Sequence, residues 1–302
     1  MSGANLMTTK SDKTDKVVGG VDLTGTKENP TEAWLVVGRI SNLGLEIIEV
    51  KKTGSHLLAR DLAAYKTIEA LGVNCPLSLP QKFLDFLAQK KLKKNYEEWH
   101  QVVEDLVFTP YDEFLSIAKE FAKEPKRITD TASGANAASP LKRGNPPMLH
   151  LTHHAIRFLA TLDPARYFVR PMQDPIAFGC AVMEVCPQST MNFLKLQDIS
   201  YESKDKGDQS RDKDELRREK LVHNLSKIKE RKALTFKDFP ALIINQRNLM
   251  HNFLHSDKAV EALLACYATS VYAVSPEHFE DPFAADALEV LTEGWTYRLK
   301  NL

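Results

Sequence analysis

The apolar positions near the N-terminus fall into short runs that predict strands. Residues 17–23 form a run typical of a buried strand, and it contains a single acid. Residues 33–40 and 45–50 are separated by a short Ser-Asn-Leu-Gly turn, which predicts a hairpin. Helical spacing follows over residues 55–65, and a fourth apolar run lies at 70–74. The order strand, strand, strand, helix, strand predicts an α/β fold with a mixed β-sheet.

The rest of the chain is mainly helical in pattern. Three helical patterns in succession, with no recurring period, predict an α-helical insertion over about residues 81–125; they lie at about 81–90, 96–108 and 111–123. Later helices are predicted at 147–162, 215–231 and 256–274, and a further buried strand at 181–185.

Three polar segments interrupt these patterns. Residues 1–16 are predicted to be a disordered tail, so that residues 17–302 form one domain. Residues 129–147 form a long run of small and polar residues, which is typical of a functional or disordered loop. Residues 200–214 are predicted to be a charged linker.

The composition is typical of a globular protein and argues against several other classes of protein. The 302 residues are 43% hydrophobic and 26% charged, which is ordinary for a globular domain. Forty Lys and Arg balance forty Asp and Glu, so a polyanion would have to be held by a local patch. The longest apolar stretch, 259–274, is too short and mixed to span a membrane. The four cysteines form no CxxC pair, which predicts reduced, buried thiols and a cytoplasmic location.

Acids occupy positions where apolar residues are expected. Asp22 ends the first strand, Glu184 interrupts an apolar strand, and Asp257 begins an apolar helix with Glu261 one turn later. A buried carboxylate is costly unless it is paired, hydrogen-bonded or bound to a metal. Carboxylates from separate elements suit Mg²⁺ or Mn²⁺, and two such ions can hydrolyse a phosphodiester.

Each acid also has an ordinary structural explanation. Asp22 followed by Thr24 could cap a turn. Asp257 could be a first-turn acid favoured by the helix dipole, and Glu184 could pair with an arginine. The spacing alone leaves both interpretations open.

Several segments in order along the chain resemble the family called domain of unknown function 429, a group of predicted RNase H-like nucleases. The segments that carry the resemblance are 20–24, 74–80, 127–130, 138–142, 145–147, 184–187, 200–201, 257–265 and 293–295. The resemblance implies an RNase H-like mixed β-sheet flanked by helices, with acids of the first strand, a middle strand and the last long helix at one edge.

Carried over position by position, the resemblance makes Asp22, Glu184, Asp257 and Glu261 the catalytic acids. Asp22, Glu184 and Asp257 would then hold Mg²⁺ or Mn²⁺ together with Asn74, and the partner would be nucleic acid. Asn74 stands where the family usually has Asp, which supplies an oxygen ligand without a charge.

A second departure lies in the last long helix, which in the family usually carries two acids three residues apart. Lys258 takes the first of those positions here, and Asp257 is shifted by one.

The long loop and the first strand supply candidate substrate contacts. Arg127, Lys142 and Arg143 lie near Asn145 in a segment rich in small residues, and their cations could contact phosphate. Thr24, two residues after the first acid, is also predicted to contact the substrate. The alternative is a surface loop with solvated cations.

Two rival functions remain. Asn74 and Lys258 could mark a degenerate member of the same fold that binds nucleic acid or protein without catalysis. Residues 21–27 are also similar to the phosphate loop of sugar kinases, which would bind ATP. His150 and His154 have zinc-ligand spacing but no third ligand, and are interpreted as surface or groove-lining histidines.

Overall fold

A mixed sheet with helices on both faces forms the body of the protein, seen in a computed structural model that describes residues 15–24, 32–132, 137–144, 148–202, 208–231, 238–284 and 287–300. The strands are β1 (Lys16–Thr24), β2 (Glu32–Ile40), β3 (Leu45–Gly54), β4 (Ile68–Asn74), β5 (Tyr167–Val169), β6 (Cys180–Val185), β7 (Leu242–Ile243) and β8 (Thr296–Tyr297). The helices are α1 (Ser55–Ala63), α2 (Gln81–Lys90), α3 (Trp99–Val107), α4 (Tyr111–Phe121), α5 (Ile128–Thr131), α6 (Met148–Leu159), α7 (Pro187–Phe193), α8 (Asp208–Ser226), α9 (Arg247–His255), α10 (Asp257–Val274) and α11 (Val290–Glu293).

The strand order places several carboxyl ends at one edge. The order is β5-β6-β4-β1-β2-β3-β7, and β8 also pairs with β6. β1, β2 and β3 form the antiparallel meander that the sequence predicts, while β4 is parallel to both β1 and β6. The last residues of β1, β4 and β6 therefore lie side by side.

The sheet separates two apolar cores, because alternate residues of a strand point to opposite faces. Val18 and Val36 belong to the core that contains α7, α8, α9 and α10, whereas Val17 and Val37 belong to the other. The second core contains α1, α6 and the three helices α2, α3 and α4 of the predicted insertion.

Helix α10 packs directly on β1 and runs back along it from the carboxyl end of the strand. A Cβ built on Gly20 would lie 2.1 Å from Cys266 N and 2.2 Å from Ala262 O. Gly20 is thus the residue at which the helix backbone meets the strand backbone without an intervening side chain. This close approach fixes the height of α10 above the sheet.

The predicted charged linker at 200–214 is wrong in its second half. Helix α8 begins at Asp208, because its Glu, Arg, Lys and Gln residues all favour helix and because Asp214, Arg218 and Leu221 are buried. Residues 203–207, and residues 1–14 of the predicted tail, lie outside the described part of the chain. Lys16, placed in that tail, is the first residue of β1.

The described helices include none that is long and apolar enough to cross a lipid bilayer.

The predicted loop at 129–147 begins inside α5, and its residues 133–136 and 145–147 lie outside the described ranges.

We predict that Gly20→Ala destabilises the fold, because the new methyl group meets backbone that cannot move as a side chain can. The expected loss is about 3 kcal/mol in the free energy of unfolding, measured by urea denaturation. Gly144→Ala is the control, since a Cβ there would meet none of the described residues within 4 Å. Equal midpoints for the two variants would contradict this account of the packing.

Candidate functional site

Asp22, Asn74 and Glu261 come together where β1 and β4 end. Asp22 pairs with Asn74 in the parallel register of the two strands, so both side chains leave the sheet on the α10 face. Ser256 caps α10 by accepting a hydrogen bond from Ala259 N, which starts the helix just before Glu261. The packing of α10 on β1 then carries Glu261 over the strand ends.

The side chains of these three residues and Lys258 form one hydrogen-bonded group, here called the acid–amide cluster. Asn74 Nδ2 donates to Asp22 Oδ1 at 2.7 Å and to Glu261 Oε2 at 2.8 Å. Lys258 Nζ lies 3.0 Å from Glu261 Oε1. The cluster therefore joins two carboxylates through one amide and balances part of their charge with one ammonium.

One oxygen of this cluster has no partner. Asp22 is 1% exposed, and its Oδ2 atom is buried without a hydrogen bond in the described structure. Burial raises the pKa of Asp22 well above its usual range, and the neighbouring Glu261 carboxylate raises it further, by its charge and by a hydrogen bond that favours the protonated form of Asp22. This carboxylate is therefore stabilised either by a proton or by a cation.

Glu184 lies on the other face of the sheet. Its register partner on β4 is Val73, the neighbour of Asn74, and Val73 belongs to the second core. Because successive strand residues point to opposite faces, the Glu184 side chain leaves the sheet on the side opposite Asp22. The structure thus corrects the expectation that Glu184 and Asp22 converge on one ion.

A buried ion pair occupies the Glu184 carboxylate. Arg127 Nη2 lies 2.6 Å from Oε1, and Nη1 donates to Oε2 at 2.7 Å. Leu77 N and Thr296 Oγ1 also donate to Glu184, and the Arg127 guanidinium is shared with Asp130 at 2.9 Å. We call these residues the Arg127 network. It matches the arginine pairing that the sequence left open for Glu184.

The Arg127 network stays charged despite its burial. Burial alone would raise the pKa of Glu184, but the Arg127 charge and the hydrogen bonds from Arg127, Thr296 and Leu77 N hold it below its usual range. Burial alone would lower the pKa of Arg127, yet Glu184 and Asp130 raise it. Arg127 is 1% exposed and bound on both sides, so the predicted phosphate contact does not fit its position.

The remaining predicted residues do not join the acid–amide cluster. Asp257 Oδ1 accepts a hydrogen bond from Lys258 N at 2.9 Å, as a first-turn acid does. Arg143 Nε lies 3.0 Å from Glu124, and Thr24 Oγ1 donates to Glu32 O.

The last predicted contacts to consider are Lys142 and Asn145 for the substrate and the kinase-like segment for ATP. Lys142 is half-buried, and its carbonyl accepts a hydrogen bond from Leu149 N. Asn145 and residues 25–27 of the kinase-like segment lie outside the described ranges.

Of the α6 histidines, His150 and His153 are buried and His154 is half-buried, so none is the exposed surface residue that the sequence predicts. His153 is 2% exposed, and its ring pairs with Thr109 O. His154 pairs with Ser55 Oγ, and its ring stacks on His150 at 5.6 Å. Burial lowers the pKa of His153 and of His154 to about 4 in each case, so both rings are neutral at pH 7.

Two residues beside Asp22 were not chosen as site residues from the sequence. Lys258 is one, although its position three residues before Glu261 on a helix is the spacing of an ion pair. Tyr201 is the other, and its phenol is buried close enough for both carboxylates to raise its pKa, after the larger effect of burial. The resemblance includes residues 200–201 but gives Tyr201 no role, and the spacing of the sequence does not place it beside Asp22.

The described residues contain no group of three or more His, Cys, Asp or Glu side chains already arranged to hold a metal ion. The four cysteines are all free thiols, and Cys75, Cys180 and Cys266 are buried as predicted, while Cys186 is half-buried. Cys75 follows Asn74 directly, and the charges of Glu184 and Asp22 both act on its thiol. Its thiol is part of the second core.

Comparisons with known proteins gave no relative. No family model matches the chain, no curated protein matches it, and no solved structure matches it.

We predict that Arg127→Met destabilises the protein by about 3–5 kcal/mol, because two buried carboxylates lose their counter-charge. Arg143→Met, which breaks a partly exposed pair, should cost under about 1 kcal/mol.

Glu184 has a lowered pKa in the folded state, so its ionised form contributes stability above pH ~4 and loses it as the pH falls. The difference from wild type in denaturant titrations should therefore shrink below that pH. A constant difference would contradict the assignment.

We predict the opposite pH dependence for Asp22→Asn. Because the Asp22 pKa is raised on folding, its contribution is fully present below pH ~3.9 and is lost as the pH rises toward the folded pKa. The amide variant keeps an acceptor for Asn74 and carries no charge. Without divalent ions its Tm should exceed that of wild type at pH 8, and the gap should close toward pH 5. The exposed Asp85→Asn is the control, and parallel curves for all three proteins would refute the prediction.

Proposed function

We propose that this protein is a metal-dependent nuclease with an RNase H-like fold, in which Asp22 and Glu261 hold one Mg²⁺ or Mn²⁺ ion. The observation that carries the proposal is the buried, unpartnered Oδ2 atom of Asp22 beside a second carboxylate. A hard divalent cation with oxygen ligands would satisfy that atom and relieve the repulsion between the two acids.

The topology supports the same proposal. An antiparallel meander is followed by β4 and β6 in parallel, and a long helix crosses the first strand. The resemblance to RNase H-like nucleases implies a mixed sheet of this kind, with acids of the first strand, a middle strand and the last long helix at one edge, and the first-strand and last-helix acids are the two that approach each other. Asp22 and Glu261 meet in that way through Asn74.

The residues at this edge fit a hard cation in chemical type. Two carboxylates and an amide are the oxygen donors that Mg²⁺ and Mn²⁺ prefer. Asn74 now presents its nitrogen to both acids, and rotation of the amide by half a turn would present its oxygen. When bound, such an ion activates water and stabilises negative charge on a phosphodiester.

The roles of the chain's own residues follow from their positions. Asp22 is the buried anchor of the ion, and Glu261, at the edge of α10, is the second ligand. Glu184 takes no part in this proposal, because its charge is matched by Arg127 on the other face. The proposal is therefore a site for one ion, with nucleic acid as substrate and the cytoplasm as location.

A second candidate is a degenerate protein of the same fold that binds nucleic acid without cleaving it. The observation that favours it is that side chains of the acid–amide cluster already bind most of its carboxylate oxygens. Asn74 and Lys258 together occupy three of the four carboxylate oxygens of Asp22 and Glu261. Internal partners of this kind weaken the binding of an ion.

We predict one Mn²⁺ site per chain by calorimetric titration, and Mn²⁺-dependent cleavage of nucleic acid. Single-stranded, duplex and branched DNA and RNA should be tested together. Asp22→Asn removes the buried anchor, and should lower both Mn²⁺ affinity and cleavage by about 100-fold or more. Glu230→Gln is the control, since Glu230 is an exposed acid that pairs with Lys227 outside the acid–amide cluster.

The outcomes separate the candidates. Mn²⁺ binding and nucleic-acid binding without cleavage of any substrate would favour the degenerate protein. Absence of Mn²⁺ binding in wild type would overturn the metal site itself.

A further inference from the structure

We propose that Lys258 is a tethered cation of the site: it neutralises Glu261 in the absence of a metal ion, is displaced when the ion binds, and then holds a phosphate oxygen of the substrate. This inference rests on the proposed function, and it assigns a role to a residue that stands where the resemblance leads one to expect an acid.

The position of Lys258 on α10 is unfavourable without the acids. It is the second residue of the helix, where the N-terminal end of the helix dipole is positive and repels a cation. The Glu261 carboxylate, one turn along and 3.0 Å away, offsets this repulsion. Lys258 is therefore held at this edge by the same charge that would hold a metal ion.

The ammonium and a divalent ion compete for one carboxylate. An ion that reached the unpartnered Asp22 Oδ2 and also Glu261 would lie beside Lys258 Nζ, which already contacts Glu261 Oε1. Two cations at this separation repel each other, and the divalent ion gains more from the two acids than a single ammonium does. Binding of the ion therefore expels the ammonium from Glu261.

The side chain has the freedom to make this movement. The Lys258 side chain is 42% exposed, whereas that of Glu261 is 14% exposed. Its flexible four-carbon stem can swing toward solvent while the backbone stays fixed in α10. The displaced ammonium remains at the mouth of the site, where a phosphate drawn to the ion would meet it.

The decisive experiment compares Mn²⁺ binding to four proteins by calorimetry at one ionic strength. Lys258→Met should bind Mn²⁺ about tenfold more tightly than wild type, because the competing charge is gone. Lys258→Arg keeps the charge and should stay close to wild type. Lys227→Met is the matched control, since Lys227 also pairs with an acid three residues later, at 2.7 Å from Glu230. Thermal melting of each protein verifies folding.

A second readout has the opposite sign. At saturating Mn²⁺, inorganic phosphate should bind about tenfold more weakly to Lys258→Met than to wild type, because the variant lacks the lysine ammonium that would contact the phosphate beside the metal ion. A residue that acted only in folding would not tighten one ligand and weaken the other.

Failure of the inference is distinguishable from failure of the proposed function. Wild type that binds no Mn²⁺ overturns both. Wild type that binds Mn²⁺ with an affinity unchanged in Lys258→Met overturns the role of Lys258 alone. Unchanged phosphate binding in that variant overturns it as well.

Discussion

The contact between the backbone of α10 and the backbone of β1 is the constraint on which the rest of the site depends. Gly20 leaves no side chain between them, and Gly72 on β4 allows the same approach beside it. The helix is thereby fixed in height and direction, and Glu261 lies above the end of the strand that carries Asp22. A spacer of one side chain at Gly20 would separate the two carboxylates that Asn74 now joins.

Two buried acids at the same edge of the sheet, Glu184 and Asp22, have opposite electrostatic surroundings. Glu184 meets a guanidinium and further donors, which keep it ionised and tie β6 to α5 and β8. Asp22 meets another acid and keeps one oxygen without a partner. The first arrangement stabilises the folded chain, whereas the second raises its free energy unless a proton or a cation arrives. This contrast identifies Asp22 as the atypical residue of the pair.

The sequence predicted much of the sheet because the meander and β4 have clear apolar runs bounded by turn residues. It also predicted α2 with its observed bounds, since its ten residues span about three helical turns. It could not predict β5, β7 or β8, because runs of two or three residues have no measurable period. Helix α8 was partly mistaken for a linker because its outer face is charged.

The error at the candidate site came from strand register. Asp22 and Glu184 each interrupt an apolar strand, and nothing in either segment shows which face the acid occupies. The pairing of Val73 rather than Asn74 with Glu184 decides it, and such a shift of one residue reverses the face. Asp22 and Glu261 were found because their positions, a strand end and a helix start, limit where their side chains can be.

The separation of the Arg127 network from the acid–amide cluster by a sheet has an evolutionary consequence. The Arg127 network lies on one face of the sheet, and the acid–amide cluster lies on the other. A substitution at Asn74 or Lys258 would change the charge or the hydrogen bonds of the acid–amide cluster and leave the contacts of the Arg127 network in place. The architecture thus allows the charge of the cluster to change in a lineage while the buried ion pairs of the scaffold persist.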